Sequence, residues 1–448
     1  MRLVAALRRR AKFFIFRRRD VFLSNNSIRL LAGVYGWRTT LRLFWAQWSC
    51  RRLHPAIDQR LQALSQKMAG QTMVEGSATK AGFLYHDYPL PEYAFKTHRT
   101  GSLGRVAKLR THLSIDRTSV LDLGCASGGI SIGLALLGAS KVVGVDYDSA
   151  AVALGKAVAE KYRIKNVDFQ VSPVEDLAIP ESDTIIWLSQ WMWVVNQHGL
   201  EYAKDLLFEV PKKSGASIMA FESAANDGKA AIAGLTQDDI AEFLRLWTPY
   251  TVIENVGPFD DGWRTPNDQR MVFICSQPKS TWPGKEATIN RVDRHTVIKE
   301  FEPQRFWAKE LESRCLQRLE GFPNFPRLLD EGDNWIKMTW GGNRVTSASQ
   351  LEQLTEVVRN LQAANIVHRD ICPDNLLYCE GQLYLLDFGW ALVDGKFPSA
   401  IPGPNLGRGF YADDHLDDAG AAERVRAHFR KMEDDLPDRE PKLLGNMS

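Results

Sequence analysis

Seven residues late in the chain constrain it more than any other feature: His368, Arg369 and Asp370, then Asn375, then Asp387, Phe388 and Gly389. They read as HRDxxxxN and DFG, with the apolar run YLL directly ahead of the second, so two tight loops flank a strand. Each fixed position costs a factor of about twenty by chance, and seven in register are not an accident of composition. The spacing has a chemical reason. Asp370 must reach an acceptor hydroxyl while Asn375, one loop farther on, turns back to a metal ion shared with Asp387. Upstream, TVIKEF gives a strand-borne Lys299 suited to the α and β phosphates of ATP. Its helical partner is Glu312, with Glu310 as second choice. Leu316 and Leu319, at i+4 and i+7, put Glu312 at the edge of a buried stripe.

These motifs resemble the protein-kinase superfamily. The resemblance implies an α+β domain using ATP and Mg²⁺, with Asp370 as the catalytic base. It also implies Lys299 and Glu312 at the nucleotide, and Asn375 and Asp387 as metal ligands. Two departures bear on the substrate. Gly284 stands nearly alone where a glycine-rich lid is expected, and only 59 residues follow Gly389, without an APE element. The expectation is a shortened C-lobe and a small or saccharide hydroxyl acceptor in place of a protein. Trp390, Pro402 to Pro404 and Asp413, Asp414, Asp417 and Asp418 either line that acceptor site or are loop and helix-cap residues.

The first half carries a different pattern. Residues 120–130 read VLDLGCASGGI, a strand, a small-residue turn and a helix start. Gly124, Gly128 and Gly129 suit a turn whose backbone a nucleoside approaches, where a side chain would collide with it. Asp146 ends the next apolar run, 24 residues beyond Asp122, where a carboxylate can accept both ribose hydroxyls. Strands are expected at Val120–Leu123, Val142–Val145, Asp168–Val171, Thr184–Leu188, Ser217–Phe221, Thr251–Val256 and Met271–Cys275, the last two an antiparallel edge. A dehydrogenase is disfavoured because DLGCASGG lacks GxGxxG and carries an acid at the strand end.

Turn, acid and strand count together resemble the class I S-adenosylmethionine-dependent methyltransferases, which implies a seven-stranded, Rossmann-like α/β fold. The resemblance implies that Asp122 orients the methionine amino group, that Gly124 and Gly128 flank the cofactor, and that Asp146 holds its ribose. Ala126 stands where glycine is commoner, which is tolerable at an ordinary negative φ. Glu175 or Asp176 is placed to meet the adenine amine. Ser189 to Trp193 and Asn196 to His198 are expected at the strand ends facing the methyl group and its acceptor. The tryptophans there are either core packing or a saccharide platform. Glu222 is either a general base or a structural acceptor for backbone donors, and a phosphate acceptor would need no base.

A chain of 448 residues suits two domains with an appendage. The expected division is a basic helical extension over 1–80, a methyltransferase over 82–278, a kinase-like domain over 285–436 and a tail over 437–448, with Gln277 to Gly284 as linker. Residues 1–54 hold thirteen Lys or Arg against Asp20 alone, a local +12; the whole chain carries +2, so the remainder stands at −10. Phe13, Phe14, Ile15, Phe16, Phe44, Trp45 and Trp48 interleave with these cations. Such a head fits an anionic membrane surface, or a helical extension packed on the acidic body; nucleic acid is the disfavoured rival. No apolar run is long enough to span a bilayer, and Arg17 to Arg19 interrupt the one candidate export signal. Six scattered cysteines fit a reducing cytoplasm, with Cys125 and Cys372 as small spacers inside the two motifs.

A methyltransferase followed by a reduced kinase resembles the bifunctional kinase-methyltransferases that terminate bacterial polymannose O-antigen chains, over roughly Leu84 to Met432. The resemblance implies phosphorylation of a terminal sugar and methylation of the phosphate. It also implies work on a glycan or lipid-linked saccharide acceptor, in the cytoplasm at the inner face of the cytoplasmic membrane. Two other readings stay open: independent tailoring of a small metabolite by each domain, and a membrane-bound scaffold that binds nucleotides without turnover.

Overall fold

Strands covered on both faces need nearly unbroken apolar runs, and the first half of the chain supplies them in VLDL, VVGV and TIIWL. The computed structural model describes residues 25–53, 79–80, 83–90, 97–99, 101–223, 237–259, 270–278, 281–283, 287–396, 410 and 416–434, with positions 56–57, 59–61 and 63–64. The chain divides into two units, residues 1–244 with 250–278, and residues 245–249 with 279–448.

The first unit begins with α1 (Asn25–Leu53), broken at Gly36 by a non-helical φ of 77°. A small sheet of β1 (Thr79–Lys80), β2 (Phe83–His86) and β3 (Thr97–Arg99) follows. Next come α2 (Ser102–His112), β4 (Ser119–Leu123), α3 (Gly129–Leu136), β5 (Lys141–Asp146), α4 (Ser149–Tyr162), β6 (Val167–Val171) and β7 (Thr184–Leu188). The unit continues with α5 (Trp191–His198), α6 (Leu200–Ser214), β8 (Ile218–Ser223), α7 (Gln237–Trp247, whose last three residues are assigned to the second unit), β9 (Tyr250–Pro258) and β10 (Met271–Pro278). Strands β4 to β10 form one sheet in the order β6-β5-β4-β7-β8-β10-β9. β4 to β8 pair in parallel, and β10 enters antiparallel between β8 and β9. Every strand read from the sequence is present, with ends displaced by three residues at most. The helix read over Ala56–Met68 is helical at each described position from 56 to 64, whereas residues 1–24 of the basic head lie outside the described residues.

The sheet grows from β4 through β5 to β6, and the chain then returns to β7 on the other side of β4. That reversal opens a crevice at the carboxyl ends of β4 and β7, where open α/β sheets bind their ligands. One expectation fails in the turn after β4. Ala126 does not hold a negative φ but sits at +49°. The amides of Gly124 and Cys125 both donate to the Val145 carbonyl, at 2.9 and 3.0 Å, and that of Ala126 donates to Asp146 Oδ2 at 2.8 Å. Three successive donors drawn toward the end of β5 force the left-handed conformation.

The second unit opens with β11 (Thr281–Pro283), which lies inside the stretch read as a linker and pairs antiparallel with β12 (Ala287–Arg291). Thr281 to Pro283 is therefore an edge strand of the second unit's sheet. Then follow β13 (Thr296–Phe301), α8 (Phe306–Arg318), β14 (Leu328–Glu331), β15 (Trp335–Thr339), β16 (Asn343–Arg344) and α9 (Leu354–Ala363). The unit closes with β17 (Ile366–Val367), β18 (Leu376–Cys379), β19 (Gln382–Leu385), β20 (Leu392–Val393) and α10 (Asp418–Asp434). A five-stranded antiparallel sheet, β11-β12-β13-β15-β14, is accompanied by two smaller ones, β16-β18-β19 and β17-β20. Among the described residues no helix is long and apolar enough to cross a membrane.

The left-handed Ala126 yields a stability prediction. Glycine escapes the steric cost that a Cβ meets there and loses part of the gain through its looser unfolded chain. Ala126→Gly should therefore raise the unfolding free energy by up to about 1 kcal/mol in a urea titration; a clear loss would contradict the strained turn.

Candidate functional sites

The crevice of the first unit is lined by two buried carboxylates. Asp122, on β4, accepts a 2.5 Å hydrogen bond from Ser131 Oγ. Burial pushes its carboxyl up to about 7; the Ser131 bond works against this and the nearby Asp146 charge adds to it. Asp146 ends β5 and accepts the amides of Ala126 at 2.8 Å and Asp148 at 2.9 Å. Burial holds its carboxyl above the ordinary range despite those bonds.

Gly124 and Gly128 both have positive φ, 68° and 80°. What presses on them is the chain itself. A Cβ on Gly124 would lie 2.4 Å from Gln190 Cγ, and one on Gly128 would lie 2.3 Å from Phe169 Cε1. Side chains of β6 and of the β7–α5 turn demand both glycines independently of any nucleoside. Behind the turn, the buried Tyr88 hydroxyl donates to the Ser127 carbonyl at 2.7 Å, a brace supplied by the chain ahead of α2.

The residues after β7 separate into two groups. Trp191 is core, with ring centroids 6.5, 6.1 and 5.9 Å from Trp187, Phe221 and Phe243, whereas Trp193 is exposed. Ser189 holds a φ of 60° while its hydroxyl donates to Glu222. Glu222 is buried and ion-paired at 2.7 Å with Arg105, from α2. Its burial and these two side-chain partners argue against general-base work. Gln190 Oε1 accepts the Trp187 indole N–H at 2.7 Å, and Glu175 meets His198 Nε2 at 2.9 Å.

In the second unit, β13 buries Val297, Lys299 and Phe301 on one face, which carries a lysine into the interior. Lys299 Nζ lies 2.6 Å from Glu312 Oε2 and 3.1 Å from Asp387 Oδ1. Burial works to lower the pKa of this ammonium, and the charges of Asp387 and Glu312 outweigh it, so the net direction is up. Lys299 in turn holds Asp387 below the usual carboxylate range. Glu312 shares the buried stripe of α8 with Ala308, Leu316 and the following Leu319, while Glu310 is exposed.

The loop after β17 brings the remaining residues together. Asn375 Nδ2 donates to the Asp370 carbonyl at 2.8 Å and to its Oδ2 at 3.0 Å, which leaves Asn375 Oδ1 for another ligand. The Asp370 amide donates to His368 Nδ1 at 3.2 Å, and His368 Nε2 faces the Leu386 carbonyl at 2.9 Å, so the ring carries its proton on Nε2. Burial raises the Cys372 thiol to about 11, which suits a spacer.

Asp418, expected at the acceptor site or as a helix cap, instead braces the Asp370 loop. Its carboxylate accepts the amides of His368 at 2.7 Å and Arg369 at 3.0 Å, fixing a loop in which Arg369 has a φ of 71°. Its place in the first turn of α10 made it look like an ordinary cap; Asp417 is the one that accepts the Gly420 amide, at 2.7 Å. Trp390 stacks edge-on against Trp307 with centroids 5.6 Å apart. Gly284, Pro402 to Pro404, Asp413 and Asp414 lie outside the described residues.

Residues 115–196, which span the Asp122 turn, Asp146 and β7, match the methyltransferase-domain family. The chain thus contains a methyltransferase domain, and the match supports dependence on S-adenosylmethionine. Beyond that class, a segment of the chain is similar to the O-antigen chain terminator bifunctional methyltransferase/kinase WbdD of Escherichia coli, to which it is 32% identical over 147 residues. That segment is 32% of this chain and 20% of the relative, so the chain spans about a fifth of that protein's length. The ribosomal protein L11 methyltransferase of Shewanella frigidimarina is 26% identical over 171 residues, 38% of this chain and 52% of that one. A solved structure of the bifunctional kinase-methyltransferase WbdD overlaps 66% of this chain and 75% of its own at 22% identity, with a TM-score of 0.33, too loose a superposition to define a fold.

The raised Asp122 carboxyl, at about 7, gives a pH signature. A donor whose ammonium pairs with Asp122 binds the ionised form, so protonation of the free protein at lower pH weakens binding. Affinity for S-adenosylmethionine should rise roughly tenfold per pH unit below that value and level off above it. Calorimetry should show this slope in the wild type and lose it in Asp122→Asn; a flat wild-type profile would remove the assigned contact.

Proposed function

We propose that the chain is a bifunctional transferase. Its second unit, read as a kinase-like domain with a shortened C-lobe, phosphorylates a glycan hydroxyl with ATP; its first unit methylates the resulting phosphate with S-adenosylmethionine. The observation that carries the kinase reading is the cluster in which Lys299 meets Glu312 and Asp387 while Asn375 holds Asp370. In this reading Lys299 binds the nucleotide phosphates. Asp370 orients the acceptor hydroxyl and takes its proton, and Asn375 keeps that carboxylate aimed.

Among the described residues no three His, Cys, Asp or Glu gather as a metal site. Magnesium in such a site needs only one or two protein oxygens beside phosphate and water. The free Oδ1 of Asn375 and the half-buried carboxylate of Asp387 fit that need. Magnesium bound there would neutralise charge on the triphosphate.

In the first unit the proposed roles are Asp122 at the methionine amino group, Gly124 and Gly128 along the cofactor, and Asp146 at its ribose. Phosphate is favoured over hydroxyl as the methyl acceptor because Glu222 is committed to Arg105 and Ser189. A phosphate oxygen is already anionic and needs no base. The glycan class is taken from the name of the Escherichia coli relative, an O-antigen chain terminator.

Two substitutions test the kinase half. Asp370→Ala should cut phosphate incorporation by roughly 10²-fold or more, and methyl incorporation with it. Mass spectrometry of glycan products separates the two gains; unchanged phosphate would remove the assignment. Asp418→Ala frees two buried amides and lets the Asp370 loop drift, so kcat should fall roughly 10²-fold while the KM for ATP changes little. A loss confined to KM would contradict this positioning role.

A further inference from the structure

Helix α1 has two apolar faces. One lies in the core, through Leu31, Tyr35, Leu43 and Ala46. The other is exposed: Trp37 is 46% exposed, Leu41 37% and Trp45 61% past the break at Gly36, with Leu30 at 61% on the segment before it. Four of the thirteen exposed large apolar residues described in this chain therefore sit on the two segments of α1, three of them past the break. Past the break at Gly36, Trp37, Leu41 and Trp45 recur every four residues and form a row, with the exposed Arg38 and Arg42 as the adjacent row. Arg29 is exposed beside Leu30, and α1 contains no Asp or Glu. The helix is held in place, because Arg110 of α2 donates to the carbonyls of Gly33 at 3.0 Å and of Val34 at the break.

We propose that this outer face of α1 is a docking surface for an anionic phospholipid bilayer, with Trp37, Leu41 and Trp45 in the interfacial region and Arg29, Arg38 and Arg42 on lipid phosphates. An indole suits the headgroup boundary, and cations flanking an apolar row match a negative leaflet. Single-stranded nucleic acid would prefer stacking rings throughout, and Leu30 and Leu41 cannot stack on bases. Pairing with a second copy would set these arginines against their own equivalents, within a head that carries +12 over residues 1–54. The surface stands independently of the chemistry proposed for either unit.

The test is co-sedimentation of the full chain with phosphatidylcholine vesicles, with and without phosphatidylglycerol. Binding is expected only with the anionic lipid and should weaken as salt is raised. The triple variant Trp37→Ser, Leu41→Ser, Trp45→Ser should lose it. Arg38→Gln and Arg42→Gln should weaken it roughly fivefold each, and lysine at both positions should retain it. Unchanged S-adenosylmethionine binding in these variants shows that the first unit is still folded, and the arginine variants decide the matter if the triple variant is not. Equal binding to neutral vesicles, no binding to either, or a dimer in light scattering that the triple variant abolishes would overturn the proposal.

Discussion

A lysine as deeply buried as Lys299 persists in the folded state only because two carboxylates meet its ammonium, Glu312 from α8 and Asp387 from the loop after β19. Stripping a charge of water costs several kcal/mol, and removing one partner of such a pair leaves a penalty of roughly 3–5 kcal/mol. The cluster therefore ties the central strand β13 to a helix and to a distant loop. One support of Asp370 hangs from the same point: the Leu386 amide beside Asp387 donates to the Asn375 carbonyl at 2.9 Å, and Asn375 holds Asp370. Asp418 secures the far side of the loop through two amides.

The first unit handles buried charge differently. Asp122 has a hydroxyl partner and Asp146 has amide partners, and among the described residues neither carboxylate meets a bonded cation. Both are therefore held above the ordinary carboxylate range, chiefly by burial. A crevice arranged in this way favours a positively charged ligand, since the ligand supplies the charge that the protein withholds. S-adenosylmethionine carries both an ammonium and a sulfonium.

What was legible in the sequence had local causes. Parallel strands buried on both faces must be apolar runs, so β4, β5, β7 and β8 could be read directly, and the i+4 and i+7 leucines placed Glu312 on the buried face of α8. What escaped had partners far away in the chain. Ala126 is left-handed because of carbonyl and carboxylate acceptors about twenty residues on. The glycines face Phe169 and Gln190, Glu222 pairs with Arg105 at a separation of 117 residues, and Asp418 reaches His368 across 50. No periodicity in a window of fifteen residues can carry such contacts, and an acid in the first turn of a helix looks alike whether it caps that helix or braces a loop elsewhere.

The Arg105–Glu222 pair bears on the order of the two proposed reactions. An uncharged sugar hydroxyl attacks a sulfonium methyl group slowly unless a base removes its proton, and the carboxylate that ends β8 is occupied by a guanidinium and the Ser189 hydroxyl. Freeing Glu222 would leave the Arg105 charge buried without its partner, so the pair resists recruitment during turnover. A phosphate monoester avoids the problem because its oxygens are ionised before they arrive. On the proposed reading, phosphoryl transfer comes first: it makes an anionic nucleophile that needs no help from Glu222, which Arg105 and Ser189 already hold.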